Sequence, residues 1–246
     1  MNWHSRYLQQ AAWTRGLRAY LFEKAGFKTA RRILEVGCGT GAILRDLTCT
    51  AALHGLDLDP GSLAECRKNI PAASLTHGDG HFLPYPDQAF DIVYCHFLLL
   101  WVKDPLQVVG EMARVGRCVL ALAEPDYSQR VDQPPGLQPL GQWQTEALRR
   151  QGADPSFGAA LAETFFQAGI RLIETGPIQG QTVMNSTADW EKEWAVIESD
   201  LEEMVPGAEI KKMKKLDETA RRLEERTLHV PTFFAWGTSN WESSPH

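Results

Sequence analysis

The sequence predicts an α/β protein built on a doubly wound, mostly parallel sheet of seven strands. Three observations carry that expectation. Apolar runs of strand length alternate with stretches of helical spacing between about residues 31 and 125. The runs are apolar nearly throughout, as in "RRILEVG" with Ile33, Leu34 and Val36, which suits strands covered on both faces. The first of them ends in "GCGTG", three alternate glycines at a strand end, where the chain turns tightly and exposes backbone N–H groups.

Residues 5–27 have helical spacing, with Tyr7, Leu8, Ala11, Ala12, Leu17, Tyr20 and Leu21 on one or two apolar faces and Gly26 as the stop. After the first strand and its glycines, a helix is expected over 41–48. "ALHGLDLDP" is a second strand ending in acids. Asp59 and Pro60 then form an N-cap and first-turn pair for a helix over 60–69. "ASLTHGDG" and "FDIVYCHFLLL" hold the third and fourth strands. "DPLQVVGEMARV" is a helix with Leu106, Val109, Met112 and Ala113 on one face, and "RCVLALAEP" is the fifth strand. "PDYSQRVDQPPGLQPLG" is rich in Pro, Gly and Gln and reads as a loop or lid. Helices over 140–151 and 157–168, a sixth strand in "GIRLIETGPIQ", charged helices over 187–228 and a seventh strand in "HVPTFFAWGT" follow. The 187–228 insert is expected to form a helical cap over the pocket. Trp190, Trp194 and Trp236 either line an apolar substrate cavity there or pack in a core.

Bulk properties narrow the function classes. The 246 residues suffice for one large domain, and a net charge of −6 disfavours a broad nucleic-acid-binding face. Lys211, Lys212, Lys214 and Lys215 are balanced by Glu218, Glu224 and Glu225 and read as a solvated helix face. The five cysteines are scattered, with no CxxC pair, so neither a disulfide framework nor a zinc site is expected. His77 and His81 flank Asp79, but Gly78 and Gly80 make a shared helical face improbable, so no metal is expected. The N-terminus lacks signal-peptide features and the apolar runs are short for a membrane span; the expectation is a cytoplasmic protein without a membrane partner.

The glycine turn admits two ligands. Gly37, Gly39 and Ala42 satisfy the dinucleotide pattern GxGxxG/A, and Asp57 stands twenty residues after Gly37, where a ribose-binding acid belongs. Three features favour a different ligand. Glu35 immediately precedes the turn; it repels a pyrophosphate and attracts an ammonium group. Gly41 adds a third alternate glycine and opens the loop for a bulkier ligand end. Asp79 in "HGDG" supplies a second acid, an acceptor for an exocyclic adenine amine.

With these residues in place, "ILEVGCGTG", "GLDLDP" and "GDGHFLPYPDQAFDIVYCHFLL" resemble the cofactor-binding half of class I S-adenosylmethionine-dependent methyltransferases. Within them the likeness is greatest to small-molecule enzymes related to the quinone-biosynthesis C-methyltransferases. The resemblance covers residues 30–124. It implies a Rossmann-like fold whose C-terminal strand runs antiparallel, in a hairpin with the sixth. It also implies one methyltransferase domain over 1–246: an N-terminal helical segment (5–27), a cofactor half (30–124) and a substrate-side half (125–246). By the same likeness, Glu35 and the loop Gly37, Cys38, Gly39 and Gly41 embrace the methionine end of S-adenosyl-L-methionine. Asp57 takes the ribose hydroxyls, Leu58 packs on the adenine, and Asp79 accepts from its N6 amine beside Gly80. Cys95 and His96 lie under the sulfonium.

Methyl transfer from a sulfonium is an in-line displacement, so alignment and exclusion of water matter more than a dedicated base. Substrate-side candidates follow the fourth and fifth strands: His96, whose ordinary pKa range suits a base, and Glu124, Asp126 and Tyr127. In the N-terminal segment, Arg6, Tyr7, Gln10 and Trp13 either fold over the cofactor or pack at the sheet. The expected partner is a small molecule. An NAD-dependent oxidoreductase and a non-catalytic cofactor-binding subunit are the competing readings.

Overall fold

The computed structural model describes residues 7–8, 11–12, 14–178 and 187–239. The expected positions Arg6, Gln10 and Trp13 lie outside the described residues. The main sheet contains β1 (Arg32–Val36), β2 (Ala52–Asp57), β3 (Ser74–His77), β4 (Phe90–Cys95), β5 (Gly116–Pro125), β7 (Ile170–Pro177) and β9 (Thr232–Ser239), and a separate pair is formed by β6 (Val131–Gln133) and β8 (Thr227–His229). The main sheet has the order β3-β2-β1-β4-β5-β9-β7. From β3 to β5 every pairing is parallel. The final strand does pair antiparallel with β7, but it also inserts between β7 and β5 and is antiparallel to both.

Side chains along the central strands alternate between the two faces, although the sequence reads as apolar throughout. Leu34 and Val36, Val93 and Cys95, and Val119 and Ala121 face one core. Ile33, Ile92, Tyr94, Leu120 and Leu122 face the other. The first core is covered by α3 (Pro105–Val115) and α5 (Leu161–Gln167), the second by α1 (Arg15–Lys24). Helix α1 ends at Gly26, whose φ of +77° lets Phe27 donate back to the Phe22 carbonyl, a Schellman-type stop. Helix α2 (Pro60–Asn69) begins where expected: the Asp59 carboxylate accepts from the N–H groups of Gly61 (3.2 Å) and Ser62 (2.8 Å). In α3, Leu106 is exposed, because Val108 and Val115 turn the buried arc away from it.

Two expectations are corrected. No α-helix spans 41–48; a single 3₁₀ turn, Leu44–Asp46, stands there. Gly41 itself is left-handed (φ +79°), so a regular helix cannot start on it. The stretch read as a loop or lid after β5 is also more ordered than its composition suggests. A 3₁₀ turn capped by Asp126, then β6, lead into α4 (Gln138–Arg150).

The cap is built from α4 together with α6 (Thr187–Leu201) and α7 (Gly207–Arg222), so it recruits a helix from outside 187–228. It has its own apolar core, including Leu140, Trp194, Ile197, Leu201 and Met213. The buried Asp217 carboxylate sits beneath it and accepts from the indole N–H groups of Trp190 (2.7 Å) and Trp194 (2.9 Å). Arg226 joins Asp217 (2.7 Å) to Asp132 on β6 (2.7 Å), which locks the small sheet under the cap. Buried charges need such pairing. Trp190, Trp194 and Trp236 therefore belong to packed cores rather than to a cavity wall; Trp236 faces the α1 side of the sheet.

Candidate active site

A cavity of about 410 Å³ opens at the carboxyl ends of β1 and β4. This is where the strand order reverses and where open α/β sheets bind ligands. Its floor comes from Glu35, Gly37, Cys38, Gly39, Ala42 and Ile43, with Asp57 at the end of β2. The far wall is the segment after β4, His96, Phe97, Leu98, Leu100 and Trp101. Tyr127, and Leu148, Gln151 and Asp200 of the cap region, close it, and Tyr7 reaches in from the N-terminal segment.

Glu35 is buried and faces Tyr94 directly across the β1–β4 register, and the Tyr94 hydroxyl donates to it at 3.0 Å. Burial holds the Glu35 carboxyl well above the usual carboxylate range, with the tyrosine bond opposing. A cationic ligand group beside it would draw the proton off. Asp57 is half-buried; one oxygen accepts from the Gly39 N–H (2.7 Å), the other from the Asp59 N–H (2.9 Å).

The glycine turn does not present bare amides. Gly37 and Cys38 both donate to the Leu56 carbonyl (2.8 and 3.0 Å), Gly39 to Asp57, and Gly41 to the Cys38 carbonyl (2.8 Å). Positive φ at Gly37, Gly39 and Gly41 makes this folding-back possible. A phosphate cradle needs free N–H groups aimed at the ligand, and these four are spoken for.

His96 faces the cavity, with its Nε2 3.0 Å from the Thr14 hydroxyl. That hydroxyl accepts from the buried Arg18 guanidinium (2.7 Å), which also donates to Asp46 (3.2 Å). Burial, with Arg18 close by, pushes the His96 pKa down to about 3. The ring is neutral at physiological pH and too weakly basic for the role that its ordinary pKa range suggests.

Several residues named from the sequence stand off the wall. Cys95 is fully buried and turns to Glu124, its Sγ 3.8 Å from the carboxylate. Glu124 faces backbone rather than a substrate: it accepts from the N–H groups of Leu98 (3.1 Å) and Leu99 (3.0 Å). Asp126 is buried and accepts from the Ser128 N–H (2.9 Å) and the Gln129 side chain (2.7 Å). Gly41 packs on Cys66 and Ile70, and Gly80 on Val36 and Val108. Leu58, 66% exposed, and Asp79 lie outside the cavity. Asp79 holds the His81 ring at 2.6 Å, while the His77 ring meets the Leu58 carbonyl at 3.0 Å. Among the described residues no cluster of three or more potential ligands gathers around a metal position, and no helix is long and apolar enough to cross a membrane.

The sequence reading missed the segment from Phe97 to Trp101. "HFLLLW" looks like more strand, yet Phe97 has φ +54° and turns the chain across the cavity. Its N–H donates to the Ala123 carbonyl (2.9 Å), and Glu124 anchors the next two amides. Strain of this kind persists only where surrounding bonds enforce it. Leu148, Gln151 and Asp200 were missed as well, because only tertiary packing of the cap brings them to the cleft.

Residues 34–118 match the family model described as a methyltransferase domain. A phosphatidylethanolamine N-methyltransferase of Cereibacter sphaeroides is 39% identical over 92 residues, 35% of this chain and 45% of that protein. A demethylmenaquinone methyltransferase of Shouchella clausii is 34% identical over 118 residues, 44% of this chain and 48% of the relative. The matches thus span less than half the length of either relative. Among solved structures, phosphoethanolamine N-methyltransferase 2 of Haemonchus contortus, in complex with phosphomonomethylethanolamine and S-adenosylhomocysteine, superposes with a TM-score of 0.56 at 13% identity, covering 87% of this chain and 50% of that one. A methyltransferase candidate from Bacillus halodurans gives 0.60 at 15% identity, covering 89% and 96%. Residues 34–118 are thus similar to a methyltransferase domain, and the chain has the class I methyltransferase fold.

Proposed function

We propose that the protein transfers a methyl group from S-adenosyl-L-methionine to a small-molecule acceptor bound between the sheet and the cap. One observation carries the reading: the cleft at the switch point is walled by the carboxyl groups of Glu35 and Asp57, while the amides of Gly37, Cys38, Gly39 and Gly41 are already bonded within the protein. That surrounding suits a sulfonium and an ammonium group and does not suit a pyrophosphate.

In this reading Glu35 receives the methionine ammonium and becomes ionised as it does so. Asp57 takes the ribose hydroxyls while keeping its hold on the Gly39 amide. The exposed Leu58 supplies an apolar surface for the adenine, with Asp79 at its rim. The loop Gly37, Cys38, Gly39 and Gly41 shapes the floor by close backbone approach. The strand-four end, at Cys95 and His96, lies beside the sulfonium, with the His96 ring as a neutral wall. Tyr127, Leu100 and Leu148 close the acceptor side, and Asp126 positions Tyr127 by capping its turn. The contribution of these residues is alignment and water exclusion, with no base required of the wall.

A thermal-shift comparison tests the cofactor. Ligand at a hundredfold excess over its Kd adds about 2.7 kcal/mol. S-adenosylhomocysteine is expected to raise Tm by roughly 5–10 °C on that basis, and NADH to leave it unmoved. The reverse pattern would make the protein a dinucleotide enzyme.

A further inference from the structure

The acceptor's chemical class follows from the charges on the cleft wall, given the donor site proposed above. With Glu35 and Asp57 engaged by the donor, the remaining wall carries one formal charge among the described residues, Asp200. One Asp200 oxygen accepts from the Gln151 side chain at 3.3 Å, and the other has no hydrogen-bond partner among the described residues. Among the described residues, no lysine or arginine lines the cavity. The buried cation Arg18 lies behind His96, bonded to Thr14, and is paired with Asp46. The aromatic side chains of Phe97, Trp101 and Tyr127 complete this side, and Trp101 is 43% exposed.

We infer that the methyl acceptor is a small amine, held by Asp200 and the aromatic wall. Carboxylates, phenolates and enolates would meet, apart from the donor's own sulfonium, only negative fixed charge among the described lining residues. An amine meets the opposite situation. Its nitrogen lone pair attacks the methyl carbon; the N–C bond forms as the C–S bond breaks, and the bonding pair stays on sulfur as a neutral thioether. Positive charge moves from sulfur to nitrogen, and the alkylammonium product sheds a proton to water. A carboxylate and aromatic faces stabilise positive charge on nitrogen throughout that step. The wall supplies no effective base, and an amine that arrives neutral needs none.

The test uses the full chain, in a preparation first shown calorimetrically to bind S-adenosylhomocysteine. Methyl-labelled S-adenosylmethionine is offered with size-matched primary and secondary amines, phenols, carboxylic acids, thiols and 1,3-diketones. Label is expected in the amines alone, with kcat/KM rising with pH toward the amine pKa. Asp200→Asn is expected to lower kcat/KM for the best amine about tenfold, mainly through KM, with unchanged S-adenosylhomocysteine affinity. Label in another class, amines no better than blank in a cofactor-binding preparation, or an unaffected Asp200→Asn each overturns the inference. Failure to bind S-adenosylhomocysteine overturns the donor reading instead.

Discussion

Burial moves Glu124 and His96 in opposite directions. Glu124 is fully buried and its carboxyl is pushed up to about 7, against a usual value of 4.5. The folded state holds that proton more tightly than the unfolded chain. Its contribution to stability is complete below pH 4.5 and is lost as pH rises through about 7. His96, lowered from 6.5 to about 3, does the reverse: its contribution is present above pH 6.5 and is lost as pH falls. Glu35 shares the sign of Glu124. At about 1.4 kcal/mol per pH unit, Glu124 changes stability by roughly 2–3 kcal/mol between pH 4.5 and 6.5, and His96, which faces the cleft, by somewhat less. Relative to wild type, Glu124→Gln should therefore make urea-derived stability rise more steeply with pH over that range. His96→Gln should make it fall. Parallel pH dependences in all three proteins would contradict these burial effects.

At the scale of elements, the glycine turn is the feature that constrains the chain most tightly. Gly41 has φ +79°, and a Cβ there would stand 2.7 Å from the Cys66 Sγ and 2.8 Å from the Ile70 Cδ1. Left-handed strain of about 1–2 kcal/mol adds to the overpacking. Gly41→Ala should lower unfolding free energy by about 2–4 kcal/mol in urea titrations, whereas a change within 0.5 kcal/mol would mean that the turn is loose. The strands and α2 were legible because local patterns decide them: long apolar runs, and an Asp-Pro cap. The helix expected over 41–48 was not, because alternate left-handed glycines, the last of them Gly41, override the apolar spacing that follows. The pair β6–β8 has three residues in each strand and is held by Arg226 between Asp132 and Asp217, a contact with no sequence signature. In the site, Glu35, Gly37, Gly39, Asp57 and His96 were legible as residues at strand ends. Phe97 to Trp101 was hidden within an apolar run, and Asp200 comes from a helix more than a hundred residues away.

In the whole molecule, the two largest cores lie on opposite faces of the sheet, and another, in the cap, sits over the carboxyl ends of the strands. Asp217 and Arg226 fix the cap as a packed unit, and its exposed Gln151–Asp200 edge meets the cleft. In the proposed reading, the acidic floor lies under the donor and the aromatic wall beside the acceptor. The most direct test of the cleft as a methyl-donor site is calorimetric titration of S-adenosylhomocysteine into wild type and Asp57→Ala. Charge-assisted hydrogen bonds contribute about 1.5–3 kcal/mol each. The predicted result is one-to-one binding by wild type and at least about tenfold weaker binding by Asp57→Ala. Absence of binding by wild type, or equal affinity in the two proteins, would contradict it.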